Sequence, residues 1–183
     1  MKGFNRRQFL KIGAGVMASF LSPVAATAAF PRNPARRSLS FYHMHTQEKL
    51  SICYFERGNY NPAAMKKINH VLRDHYSQKV QPIDPRLIDM LFSINQKLGC
   101  TSPFHVISGY RSPDTNARLA KNGNGVAKQS YHMQGKAIDI RLPGCDIRKL
   151  WQTCVDLKLG GVGYYPRSDF VHVDTGAFRT WNG

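Results

Sequence analysis

The chain has 183 residues, 42% of them hydrophobic, and a formal net charge of +15 from 26 Lys/Arg against 11 Asp/Glu. That length suits one domain around one core. The basic excess attracts polyanions, but no basic stripe interleaved with aromatic residues and no nucleic-acid module accompanies it, which excludes a nucleic-acid binder.

Residues 1–11 contain Lys2, Arg6, Arg7 and Lys11 and no acid. The apolar run that follows, Ile12 to Ala25, falls short of the roughly 20 residues a spanning helix needs. Ala26-Thr27-Ala28 then offers small residues at a cleavage site. Charge, apolar core and small residues in that order predict a secretory signal over residues 1–28. Within it, Asn5-Arg6-Arg7-Gln8-Phe9-Leu10-Lys11 predicts the twin-arginine (Tat) type. The expected location is the periplasm, with no stable membrane span once the signal is removed. The remaining 155 residues carry a net charge of +11. In that compartment the polyanion is an envelope polymer or lipid surface, not DNA.

Residues 29–37, rich in Pro and Arg, predict a flexible tether, and 38–183 a single domain. Ser38 to Thr46 and Leu50 to Glu56 read as a hairpin of two short strands, followed by a loop at Arg57-Gly58-Asn59-Tyr60. Asn61-Pro62, Asp84-Pro85 and Ser112-Pro113 each put a capping side chain before a proline at a first helical position. The three helices they predict run to about Ser77, Leu98 and Lys121. Met65, Ile68, Leu72 and Tyr76 form the apolar stripe of the first, and Leu87, Leu91, Ile94 and Leu98 that of the second. Phe104 to Ser108 is a strand, and Asn122-Gly123-Asn124-Gly125 a surface loop. Lys136 to Leu142 is a further strand, Asp146 to Leu157 a helix, and Gly161 to Tyr165 and Phe170 to Asp174 are the last two strands. Helices in the middle and strands at the end predict an α+β fold, a small antiparallel sheet with flanking helices.

Cys53, Cys100, Cys145 and Cys154 contain no CxxC spacing, which argues against a zinc knuckle. At most one disulfide is expected, and nothing marks a cysteine nucleophile.

Asp139 lies between Ile138 and Ile140, and His172 between Val171 and Val173. A carboxylate on such a half-buried strand is costly unless paired or bound to a metal. His132, in the loop leading to the first of these strands, makes a third ligand. Three ligands with a fourth position left for water is the count of a catalytic zinc site, and imidazole with carboxylate suits Zn²⁺. His70, His75 and His105 have no partner at ligand spacing and read as structural. His43 and His45 form an HxH pair but lie in the peripheral hairpin.

Ser130-x-His132, Gly135-x-Ala137-x-Asp139 and a closing His172 together resemble the signature of the peptidase M15 family. The stretch from Phe104 to Trp181, including Ile107-Ser108-Gly109-Tyr110-Arg111-Ser112 and Gly160-Gly161-Val162-Gly163-Tyr164-Tyr165-Pro166, is similar to its Tat-exported, murein-endopeptidase-like branch. The resemblance implies a hedgehog/D-Ala-D-Ala-peptidase-like fold and one Zn²⁺ per chain, held by His132, Asp139 and His172. It implies a monomer acting on peptidoglycan, cutting peptide bonds in stems or cross-links. Arg111 matches the family arginine beside the metal, a catalytic and substrate-binding position that suits an always-charged bidentate donor. Ser130 would orient His132 or the substrate, and Tyr164 would line the cleft with Tyr165. The base is Asp169, where several relatives place a glutamate three residues before the last ligand, or else Asp174, which is also placed to support a ligand. The alternative function is a non-catalytic, zinc-containing wall-binding module of the same fold. Bond specificity (D,D or L,D) and endo or carboxypeptidase action both stay open at this point.

Overall fold

The computed structural model describes residues 35–121 and 127–183. The predicted signal, residues 29–34 of the tether and the Gly-rich loop at 122–125 lie outside the described residues. The predicted tether is shortened at its other end: Arg36 and Arg37 already belong to strand β1 (Arg36–His43). Arg37 is buried there and pairs with Asp89 at 2.7 Å, so the register starts earlier than its polarity suggests.

The elements follow in the order β1, β2 (Lys49–Glu56), β3 (Asn59–Tyr60), α1 (Pro62–Val71), α2 (Pro85–Leu98), β4 (Phe104–Ser108) and α3 (Pro113–Lys121). A 3-10 turn (Tyr131–Gln134), β5 (Ala137–Arg141), α4 (Ile147–Leu157), β6 (Gly161–Tyr165), β7 (Phe170–Asp174) and β8 (Arg179–Asn182) complete the chain. All the strands join one sheet in the order β3-β2-β1-β4-β5-β7-β6-β8. The fold class is α+β, but the sheet is neither small nor wholly antiparallel. It has eight strands among the described residues, and β1/β4 and β6/β8 pair in parallel. The short strands β3 and β8 escape sequence reading, since two to four residues are too few for a periodic pattern.

The proline-led helices begin as expected. Asn61 Oδ1 accepts from the Ala64 amide, Asp84 Oδ1 from Arg86 and Ser112 Oγ from Thr115, each satisfying an amide that the first helical turn leaves free. Helix α1 stops at Val71 instead of Ser77. Asp74 takes the amides of Tyr76 and Ser77 on one oxygen and that of Ser112 on the other. A side-chain acceptor that captures these amides competes with the helical ladder, so Tyr76 leaves the apolar stripe and is exposed.

Alternation along the central strands separates two faces. Ile138, Ile140, Val171, Val173 and Val162 are buried in the same core as Leu87, Leu91 and Ile94 of α2 and Leu150 of α4. The intervening residues Asp139, His172 and Gly163 stand in register across β5, β7 and β6. They form one row on the face opposite that core.

Candidate metal centre

The row is completed from two loops. Strand β4 carries an irregularity between Val106 and Ser108 that sets Ser108 opposite Asp139. Such a bulge re-aims the side chains that follow it. His132 comes from the 3-10 turn, which Ser130 caps by accepting the His132 amide at 3.3 Å. Gly135 closes that turn at φ 64°, with its Cα against the Pro82 carbonyl where a Cβ would collide. The Ser130 hydroxyl thus holds the turn that carries His132.

Three atoms converge. His132 Nε2 lies 3.2 Å from His172 Nδ1 and 3.3 Å from Asp139 Oδ1, and His172 Nδ1 lies 2.8 Å from the same oxygen. The far side of each imidazole is committed. His132 Nδ1 is 2.7 Å from the Gly109 carbonyl, which can only accept, so that nitrogen carries the proton. His172 Nε2 is 3.1 Å from Asp174 Oδ2 and donates to it. The outer nitrogens are thus occupied, and the two inward nitrogens converge on one carboxylate oxygen. A protonated His172 can donate from Nδ1 to Asp139, and a metal ion could take that proton's place among the three atoms. A tetrahedral site with bonds of about 2.0–2.1 Å has ligand–ligand edges of roughly 3.3–3.4 Å; the two separations from His132 lie close to that value, and the His172–Asp139 pair, at 2.8 Å, is shorter. Among the described residues these three side chains form the one group able to hold a metal.

The electrostatics agree. Burial alone would raise the Asp139 pKa, but His132 and His172 outweigh it and hold the carboxyl well below its usual range. Burial pushes His132 down, further than Asp139 pulls it up. For His172 burial also acts downward, but the carboxylates of Asp139 and Asp174 prevail and push it up to about 9. The centre thus favours positive charge at the His172–Asp139 junction.

Around this core, Arg111 sits as expected. Its Nη2 is 3.5 Å from the second oxygen of Asp139 and donates to Ser108 Oγ at 3.2 Å. Asp174 is fully buried. Besides His172 it accepts from the Gly176 amide at 2.8 Å and from both terminal nitrogens of Arg179, at 3.1 and 2.7 Å. It supports a ligand and has no oxygen free to move protons.

Two expectations need correction. Asp169 is not brought to the cluster: its carboxylate pairs with Arg141 at 2.9 Å on the exposed rim. It occupies φ 53° at the turn into β7, which aims it outward. Tyr164 does not line the cleft. It alternates onto the core face of β6 and packs on Trp151 of α4 with ring centroids 5.3 Å apart. Tyr165, its neighbour, takes that place, stacked on Phe170 at 4.4 Å and bonded through its hydroxyl to Trp181 Nε1 at 2.9 Å.

Tyr131, Arg179 and Trp181 also wall the cavity of about 320 Å³ over the cluster, and sequence reading missed all three. One signal points to the last two. Gly161 and Gly163 alternate on the site face of β6. A Cβ on Gly163 would lie 2.7 Å from Trp181 Cε2, and one on Gly161 would strike the Arg179 guanidinium. The glycines leave room for β8 to lay these side chains over the site. The four cysteines are free.

Residues 32–181 match the family Peptidase_M15_2, described as peptidoglycan L,D-endopeptidase MepK. The peptidoglycan L,D-endopeptidase MepK of Escherichia coli (strain K12) is 39% identical over 177 residues, covering 97% of each chain. The probable peptidoglycan L,D-endopeptidase MepK of Haemophilus influenzae is 39% identical over 180 residues, covering 98% of this chain and 96% of its own. Among solved structures, the L-Ala D-Glu endopeptidase ChiX of Serratia marcescens overlaps 52% of this chain and 68% of its own, at 16% identity and a TM-score of 0.36.

Proposed function

The chain belongs to the peptidase M15 family, in the branch described as peptidoglycan L,D-endopeptidase MepK, and on that premise we propose that it is a zinc-dependent endopeptidase that cuts L,D peptide bonds in peptidoglycan cross-links. The observation that carries the metal dependence is the convergence of two imidazole nitrogens and a carboxylate oxygen, with the outer nitrogen of each ring already hydrogen-bonded. Two imidazoles and a carboxylate suit Zn²⁺ in donor type and number. Because all three ligands come from one chain, one ion per monomer is expected. The basic chain suits an anionic wall polymer, and the signal-like segment at 1–28 suits Tat export to the periplasm, where that polymer lies.

When bound, zinc supplies Lewis acidity at the scissile carbonyl and lowers the pKa of water toward neutrality. The protein's own residues do the rest. Asp174, clamped by Arg179 and Gly176, holds His172 in the tautomer that turns Nδ1 inward. The Gly109 carbonyl does the same for His132. Arg111 stands beside Asp139 where its guanidinium can steady the developing oxyanion or a substrate carboxylate. Trp181, Tyr165 and Phe170 shield the site from bulk water on one side.

Asp169, turned outward onto Arg141, is not placed to move protons at this centre. Asp169→Asn is therefore expected to keep kcat within three-fold of the parent with metal content unchanged, and a 100-fold loss would return Asp169 to the mechanism. The function is tested by digesting cross-linked peptidoglycan and resolving the products by mass. Dimers joined through L,D bonds should fall to monomers. Products cut only at D,D bonds would overturn the specificity, and intact muropeptides would overturn the enzyme.

A further inference from the structure

The cavity over the metal centre does not end at Arg111. It shares Arg111, Asp139, Tyr165, Phe170 and Trp181 with a second cavity, which continues past the β4 bulge toward the turn after α1. The bulge builds its floor: instead of alternating across the sheet, the successive residues Ile107 and Ser108 both line this arm. The far wall is a rigid column. His45 stacks on His75 at 3.9 Å and 7°, His75 lies 4.1 Å from Tyr76, and the Arg118 guanidinium covers the Tyr76 ring at 4.0 Å.

Apart from Asp139, the carboxylates among its described lining residues are Asp74 and the terminal carboxylate of Gly183. Asp74 is 1% exposed and spends both oxygens on the amides of Tyr76, Ser77 and Ser112. Among the described lining residues only the Gly183 terminus offers an open carboxylate, whereas Arg111 stands at the mouth and Arg118 backs the outer wall. An arm so lined accepts an anionic polar chain and meets it with a cation next to the reacting bond.

We propose that this arm, from Ile107 and Ser108 to the His45–His75–Tyr76 column, is the subsite for the second, carboxylate-bearing peptide stem of a cross-link. The inference rests on the endopeptidase reading and deepens it. An enzyme that cuts inside a bridge must seat chain on both sides of the bond, and the trough runs away from the metal centre on both sides of Arg111. A carboxypeptidase would need only one closed arm.

The test separates binding from cleavage. The chelator-treated chain, which cannot turn over, is titrated with purified cross-linked muropeptide dimer and with the uncross-linked monomer. The dimer should bind at least ten-fold more tightly. Leu119→Glu and Ser168→Glu, which put a negative charge on half-exposed and exposed lining positions, should cut that preference at least five-fold, and Leu119→Lys should preserve or raise it. Two charge variants at separate positions guard against one that fails to fold. Equal affinity for dimer and monomer overturns the subsite, as does an equal loss in Leu119→Glu and Leu119→Lys. If the dimer preference holds and the metal-loaded chain leaves the dimer intact, the subsite stands and the catalytic reading falls.

Discussion

At the residue scale the site is built from commitments made on the outer side of each ligand. His172 is useful because its Nε2–H already donates to Asp174, and Asp174 is reliable because Arg179 and the Gly176 amide hold it in place. Partners of this kind fix the tautomer and raise ligand basicity, and their loss typically costs 10–100-fold in metal affinity. Asp174→Asn keeps the shape but lets the amide nitrogen face Nε2, which favours the wrong tautomer. Its zinc affinity, read by competition with a chromophoric chelator, should fall by about that factor. An affinity unchanged within two-fold would show that Asp174 is only a structural carboxylate. The candidate ligands were legible, because an acid and an imidazole interrupt apolar strands at Asp139 and His172. The supporting roles were not: the tautomers depend on a backbone carbonyl at Gly109 and on an arginine five residues past Asp174, and neither carries a sequence pattern.

At the element scale the helices and central strands were read to within one or two residues where a cap or an alternation marked them. Asp84-Pro85 started α2 and the stripe Leu87, Leu91 and Ile94 placed its buried face. The reading failed where side chains override local propensity. Asp74 ended α1 six residues early by taking amides the helix needed. β8, only four residues long, joins β6 in parallel, and its side chains reach the site only because Gly161 and Gly163 are bare. Tyr164 and Tyr165 show the same limit: composition marks both as cleft candidates, and only the phase of β6 decides between them. Gly163→Val should therefore push Trp181 off the site and lower kcat/KM on cross-linked peptidoglycan by at least ten-fold. Because the site face and core face of β6 are separate, the melting temperature should fall by no more than a few degrees. A variant with normal kcat/KM would show that Trp181 is dispensable.

At the scale of the whole molecule, one face of the sheet supplies stability and the other chemistry. The hairpin turn meets the loop after α1 through His43, His45 and His75. Burial pushes His43 and His75 each down to about 4, with the neighbouring imidazoles adding to it; Arg73 also acts downward on His43, while Glu48 opposes it there and Asp74 opposes it at His75. An imidazole that is harder to protonate when folded makes the unfolded state bind more protons between about pH 4 and 6.5, so stability rises with pH across that window. The contribution is full above about pH 6.5 and is lost as pH falls toward about 4. Thermal melts should show a steady fall in Tm over that range, and His75→Gln should flatten part of the slope. A Tm independent of pH between 6.5 and 4.5 would contradict this reading of the cluster.

The central claim is that His132, Asp139 and His172 hold one metal ion on which hydrolysis depends. It is tested most directly by stripping the protein with a chelator, adding zinc back in steps, and following cleavage of cross-linked peptidoglycan. The account predicts loss of cleavage on stripping and recovery that saturates at one zinc per chain, with no recovery in His172→Ala. Cleavage that survives complete removal of metal, or recovers equally in His172→Ala, would contradict it.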